Sequence, residues 1–262
     1  MLKYITILIL FTYSLLAIDI KMGGGVFNPS TKGLIFYQNN FFEGSQAEVD
    51  NTAQYHGYFW SDVSLPLPFN PHILTEYYHM TSTGNSLFTI NANNKYVDIL
   101  IDSVLDVFSE KDTLNLPSTL RTDMYDLFIY YDVWEEGIFP IISMGAGIKH
   151  FNYNYFVKVL ADLNVKDNGG ATIPMLYTKM HKDIERYFTS FDLGMKYYVF
   201  GDSDIYDLIA KMTIKIPISN TLKAGIELGY KDSSFNIKGA DIDHVAGDMR
   251  YKGFFGGMTI SF

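Results

Sequence analysis

Leu222-Lys223-Ala224-Gly225-Ile226-Glu227-Leu228-Gly229-Tyr230-Lys231 alternates without a break between apolar residues and polar or small ones. Successive side chains of an extended strand point to opposite faces, so this segment has one apolar and one polar face. The pattern recurs along the chain. Lys211, Thr213 and Lys215 alternate with Ala210, Met212, Ile214 and Ile216, and Asp192, Gly194 and Lys196 with Phe191, Leu193, Met195 and Tyr197. Ser143, Gly145, Gly147 and Lys149 alternate with Ile142, Met144, Ala146 and Ile148. A soluble sandwich would bury its apolar faces against each other. A membrane barrel would turn them to lipid and the polar faces to a lumen. Length separates the two: these segments run roughly 10 to 14 residues, which a tilted membrane strand needs and a soluble strand usually lacks. Tyr and Phe gather near segment ends, as in Tyr130-Tyr131, Tyr197-Tyr198 and Phe254-Phe255, which suits interfacial girdles.

The two ends of the chain agree with this reading. Met1-Leu2-Lys3 is followed by an uncharged, mostly apolar run from Tyr4 to Leu16 and by the small residue Ala17. A charged start, a short apolar middle and a small-residue exit make residues 1–17 a secretory signal peptide, leaving 18–262 as the mature barrel. The other end reads Gly253-Phe254-Phe255-Gly256-Gly257-Met258-Thr259-Ile260-Ser261-Phe262. Apolar side chains at Phe254, Met258, Ile260 and Phe262 form the signal by which barrel-insertion machinery would recognise the chain.

Ten strands are expected, at about 18–28, 53–65, 72–83, 121–134, 138–152, 172–182, 187–200, 205–217, 221–237 and 249–262; eight or twelve are the alternatives. The expected class is all-β, a transmembrane antiparallel up-and-down barrel. Connections alternate in length: short at 66–71, 135–137, 183–186 and 217–220, long at 29–52, 84–120, 153–171 and 239–248. The tight Gly201-Asp202-Ser203-Asp204 turn breaks the rule. Short turns opposite long outer loops mark outer-membrane barrels. Residues 153–163 could extend the fifth strand. Within the longest loop, Val97, Leu100, Ile101, Val104, Leu105 and Phe108 fall at helical spacing, so residues 95–109 are read as a short amphipathic helix, with an extended hairpin as the alternative.

Taking the polar face of each strand as inward gives eight acids, Asp19, Asp62, Glu76, Asp126, Asp132, Asp192, Asp207 and Glu227, against eight bases, Lys21, Lys149, Lys179, Lys196, Lys211, Lys215, Lys223 and Lys231. Balanced charge in a narrow barrel points to a lumen closed by pairs, because unpaired charges in a confined space are costly. The formal net charge of −9 therefore belongs to the outer loops, through residues such as Glu43, Asp98, Asp102, Asp106, Asp241 and Asp243. An acidic rim excludes nucleic acid as a partner, since phosphate binding needs clustered Lys and Arg. Asp202-Ser203-Asp204 and Asp241-Ile242-Asp243 lack the length and glycine placement of a calcium loop, so no metal site is expected. With 0 Cys there is no disulfide or thiol chemistry. The six histidines are His56, His72, His79, His150, His181 and His244, and no G-x-S-x-G or H-E-x-x-H motif accompanies them. His56 with Asp62 is a conceivable pair; His79 and Glu76 fall on opposite faces. No catalytic residue and no cofactor is expected.

Three segments carry a family resemblance: Ile173-Pro174-Met175-Leu176-Tyr177, the run Asp123-Met124-Tyr125-Asp126-Leu127-Phe128-Ile129-Tyr130-Tyr131-Asp132, and Leu228-Gly229-Tyr230-Lys231 with Gly253 to Met258. They resemble a family of small Gram-negative outer-membrane β-barrel proteins, over nearly all of residues 18–262, with the 84–120 region departing from it. The resemblance implies location and fold, and transfers no catalytic residues. The expected role is structural or surface-interacting, in membrane integrity or adhesion, by a monomer in contact with outer-membrane lipids and lipopolysaccharide. The alternative is a narrow porin-like channel or transporter for small or hydrophobic solutes.

Overall fold

The computed structural model describes residues 18–36, 46–51, 54–89, 113–158, 164–219, 221–238 and 247–262. Strands dominate them: β1 (Asp19–Phe36), β2 (Gln46–Asn51), β3 (His56–Ser64), β4 (His72–Thr89), β5 (Thr113–Trp134), β6 (Ile141–Lys158), β7 (Asn164–Ile184), β8 (Thr189–Phe200), β9 (Ser203–Pro217), β10 (Lys223–Ile237) and β11 (Gly247–Ser261). Because β2 and β3 both lie between β1 and β4, they are two lengths of one wall strand, and the sheet is a closed ten-stranded antiparallel barrel. β1 and β11 close the ring, and Ile20 and Phe262 exchange backbone hydrogen bonds of 3.1 and 3.0 Å.

The register sets the barrel's shape. A walk across paired residues runs from Ile20 through Val63, Ile73, Ile129, Ala146, Leu176, Tyr197, Tyr206, Ser234 and Arg250 back to β1 at Lys32. It returns 12 residues from where it started, which tilts the strands by about 40° in a ring of this size. Strand ends are level at the end of the short turns, which occupy 65–71, 135–140 and 185–188, with a fourth joining Pro217 of β9 to Lys223 of β10. Phe69 and Asn70 take the left-handed conformation in the first of these turns, and Phe188 in the third.

At the opposite end the strands run well past the expected boundaries. β5 has 22 residues and β7 has 21, so much of what reads as loop at 29–52, 84–120 and 153–171 is strand. The fifth strand extends to Lys158, and Asp183, read as turn, lies within β7. β6 begins at Ile141, not 138, because the Phe139 N–H closes the turn on the Glu136 carbonyl at 3.1 Å and Pro140 has no N–H for the ladder. The long-loop rim is uneven: β8 and β9 turn back at Gly201-Asp202, while β7 continues to Asn164, paired there with β6 alone. The signal peptide at 1–17, the helix at 95–109, His244 and the acids Glu43, Asp98, Asp102, Asp106, Asp241 and Asp243 lie outside the described residues.

Toward the short turns the outward face is apolar. Leu127, Ile129, Leu176, Leu193, Ile214, Ile226, Leu228 and Met258 are all among its exposed side chains. Trp134 and Phe139 stack at its lower edge, their centroids 5.5 Å apart. At the upper edge Tyr77 meets Tyr125 at 4.8 Å and Tyr230 meets Phe254 at 5.2 Å. On β5 the band runs from Tyr125 to Val133, roughly 20 Å at a rise of ~3.3 Å per residue and a tilt of ~40°. A bilayer-facing band is ~25 Å tall. Above it the wall continues for roughly another 30 Å along β5 with polar Arg121 and Thr119 outward.

Candidate functional site

The lumen is the candidate site, and three groups of side chains line it below and at the upper aromatic belt. The first is a layer of six charges. Lys149 Nζ lies 2.7 Å from Asp126 and 2.9 Å from Asp207; Lys231 lies 3.2 Å from Asp207 and 3.8 Å from Glu76; Lys196 lies 2.7 Å from Glu76 and also contacts Asp126. Three acids meet three bases, with side-chain exposures between 0 and 8 %. Burying ions is tolerated here because each has two opposite partners at contact distance.

The local sequence explains why this layer lies level with the belt. Glu76-Tyr77, Tyr125-Asp126, Lys196-Tyr197, Tyr206-Asp207 and Tyr230-Lys231 are adjacent pairs, and adjacent strand residues face opposite sides. Each pair sends a tyrosine out to the girdle and a charge inward; Lys149-His150 does the same with a histidine. The girdle and the charge layer are one stratum of the barrel.

The second group hangs on Glu227. Its carboxylate accepts from Tyr58 Oη at 2.5 Å and from Trp60 Nε1 at 2.9 Å, and Lys211 Nζ lies 3.4 Å away. Two glycines make room for those rings: a Cβ on Gly257 would sit 2.6 Å from the Tyr58 hydroxyl, and one on Gly23 2.6 Å from the Trp60 ring. The third group crosses the lumen near the short turns. Asp62 accepts from Tyr130 Oη at 2.6 Å and from Lys179 at 3.2 Å, and Lys179 lies 3.7 Å from Asp192. His181 stands between Asp192 at 2.8 Å and Asp183 at 3.4 Å, and Lys215 reaches Asp183 at 2.5 Å. His72 stands between Asp62 at 3.7 Å and Asp132 at 3.4 Å, while Ser143 Oγ donates to Asp132 at 2.6 Å.

Of the sixteen residues expected inward, thirteen enter these groups; Asp19 and Lys21, half exposed and 3.6 Å apart, and exposed Lys223 stand at the mouth. The pairing partners, and the places of Tyr58, Trp60, Tyr130, His72 and His181 among them, come from the structure. Parity alone puts His72 on the face of Glu76 and His181 on that of Lys179, a signal that was available. His79 does lie on the opposite face from Glu76, held 2.7 Å from Asp123 on the outer wall. His56 does not meet Asp62; its Nδ1 accepts from the Thr81 backbone N–H at 3.2 Å.

Expectation and structure differ above the charge layer. The lumen there is apolar, not polar. Phe27, Met80, Leu120, Met124, Phe151, Ile173, Met175, Ile205, Phe235, Met249 and Tyr251 are buried as one cluster. The alternation continues without slipping register, but its sense inverts. On β6, Lys149 is followed inward by Phe151, Tyr153, Tyr155 and Val157, while Asn152, Asn154 and Lys158 face out. Water replaces lipid outside the wall beyond the belt, so the apolar face turns inward to make an ordinary core.

Chemically, the lumen can hold ions and hydrogen-bond donors. Ser64 Oγ lies 2.8 Å from His72 Nδ1, with Asp132 beyond Nε2, so nucleophile, base and acid types are in line. Acyl transfer also needs backbone donors for an oxyanion. The Leu65 and Leu67 N–H groups beside Ser64 are both committed, to Pro71 and Leu65 carbonyls at 2.9 and 2.8 Å. The described residues contain no cluster of three or more His, Asp or Glu suited to a metal ion.

No protein-family model and no curated protein matches the sequence. Solved structures do match. The outer-membrane protease OmpT from Escherichia coli superposes with a TM-score of 0.55 at 11% identity, over 94% of this chain and 96% of that one. The translocator domain of the autotransporter NalP from Neisseria meningitidis gives 0.41 at 9% identity, over 93% and 88%. The outer membrane protein OprG from Pseudomonas aeruginosa gives 0.32 at 9%, over 93% and 95%. At such identities the likeness is one of fold, and the fold of this chain is that of an outer-membrane β-barrel.

Proposed function

We propose that the protein is an integral protein of a bacterial outer membrane whose barrel is shut, serving a structural or surface-interacting role in membrane integrity or adhesion. One observation carries the reading: at the level of the upper girdle the lumen is crossed by six mutually paired, buried charges, with an apolar core directly above. A solute passing through would have to separate both. The short turns then face the periplasm and the long strands project outward. Residues 1–17 are the export signal and 18–262 the mature barrel. Outward Phe254 and Met258, 73% and 74% exposed, with Ile260 and Phe262, present the insertion signal to lipid and to the insertion machinery. Lipids and lipopolysaccharide cover the band of a monomer. OmpT is named a protease, but 11% identity carries no residue role, and we propose no enzymatic activity.

Conductance of the purified protein in a planar bilayer tests the reading. A silent bilayer containing verified folded barrel is the expected result. Reproducible conductance steps would replace it with the narrow-channel reading.

A further inference from the structure

Below the six-charge layer the lumen is a cavity of about 440 Å³ that reaches the short-turn end. Its surroundings hold ammonium groups in one recurring way. Lys231 lies 3.8 Å from the Tyr78 ring centroid and 3.2 Å from Asp207. Lys211 lies 3.8 Å from the Trp60 centroid and 3.4 Å from Glu227. Lys196 stands 5.1 Å from Phe128 and 2.7 Å from Glu76, and Lys179 5.5 Å from Tyr130 and 3.2 Å from Asp62. Each is an alkylammonium between a carboxylate and an aromatic face, which adds charge attraction to that of the ring quadrupole.

Asp62 has capacity left over. Its Oδ2 accepts from Tyr130 and Lys179, but Oδ1 has no hydrogen-bond partner although the residue is only 6% exposed and lines the cavity. The His72 Nδ1 near it is 3.7 Å away and already engaged by Ser64 at 2.8 Å, and His72 Nε2 is also without a hydrogen bond. A buried carboxylate oxygen lacking a donor is costly, and what satisfies it is a donor, best a cationic one. The Tyr130 and His72 rings stack beside it with centroids 4.6 Å apart, supplying the aromatic face.

We infer that this vestibule is a binding site for a small aliphatic amine, its ammonium donating to Asp62 Oδ1 beside the Tyr130–His72 stack. The ligand repeats the arrangement the four lysines already make. The cavity is of the size that encloses a small molecule. The mouth does not bar a cation, because Lys21, Lys215 and Lys223 are offset there by Asp19, Asp132 and Asp183. The inference does not depend on the barrel being shut to ions.

The test is calorimetric titration of the purified protein in detergent micelles with 1,4-diaminobutane, with succinate as a probe of opposite charge. Saturable binding of the diamine alone is expected, weakened about tenfold or more in Asp62→Asn through loss of one charge-assisted hydrogen bond and unchanged in Asp123→Asn on the outer wall. A second measurement needs no variant: the diamine should shift the methyl resonances of cavity residues Leu74 and Ile209 in the wild-type protein, and leave lipid-facing Ile148 in place. Absence of saturable binding, equal binding by folded Asp62→Asn, or shifts confined to sites away from Leu74 and Ile209 would each overturn the inference, leaving the cavity to water.

Discussion

The two halves of this barrel are built from the same strands, yet they obey opposite rules. On β10, Ile226, Leu228 and Tyr230 face outward and Glu227 and Lys231 inward; a few residues further, Asp232, Ser234 and Asn236 face outward and Phe235 and Ile237 inward. Nothing in the backbone marks the change, for the pairing of β10 with β11 runs unbroken from Lys223↔Ser261 to Ile237↔Gly247. What changes is the solvent outside the wall. A strand in lipid exposes its apolar side and buries its polar one, and a strand in water does the reverse. The stratum between them is where the tyrosine girdle and the six-charge layer share adjacent residues.

Substitutions on either side of that stratum should behave differently. The largest effect is expected from Asp126→Leu, which leaves Lys149 and Lys196 short of a partner in a fully buried layer. Removing one member of a buried charge group costs about 3–5 kcal/mol, read as a lower midpoint in denaturant unfolding from micelles. Phe235→Ala, in the apolar core above, should cost about 3 kcal/mol by leaving a cavity beside Phe151 and Tyr251. If it proves neutral, the outer half is not a packed core.

A finer test puts the same charge on the same face of one strand. Leu228→Arg meets lipid and should cost about 2–4 kcal/mol. Ser234→Arg, beyond the girdle, should fall within about 0.5 kcal/mol of wild type. Equal costs at the two positions would erase the boundary drawn here. A loss well below that of the charge layer is expected from Tyr58→Phe, which removes the 2.5 Å bond to Glu227 but leaves Trp60 and Lys211 on the carboxylate. About 1 kcal/mol is expected, and the unfolding midpoint measures it.

Much of this molecule is determined by its sequence alone. Unbroken alternation at Leu222–Lys231 dictates a strand with two unlike faces, and the short turns at 66–71 and 217–220 dictate which strands are neighbours. The inward parity of Asp126, Lys149, Lys196, Asp207 and Lys231 follows from the same period of two. The tertiary structure decided the rest. Alternation is blind to which solvent lies outside, so Tyr155 and Val157 fall in the expected loop at 153–171, or in an extension of the strand before it, whereas β6 carries them past the girdle into the core. It also cannot say which charge meets which. Asp62 on β3 and Lys179 on β7 are 117 residues apart, and Lys196 and Glu76 are 120 apart. Those contacts exist only because closure with a stagger of 12 residues brings distant strands face to face across the lumen.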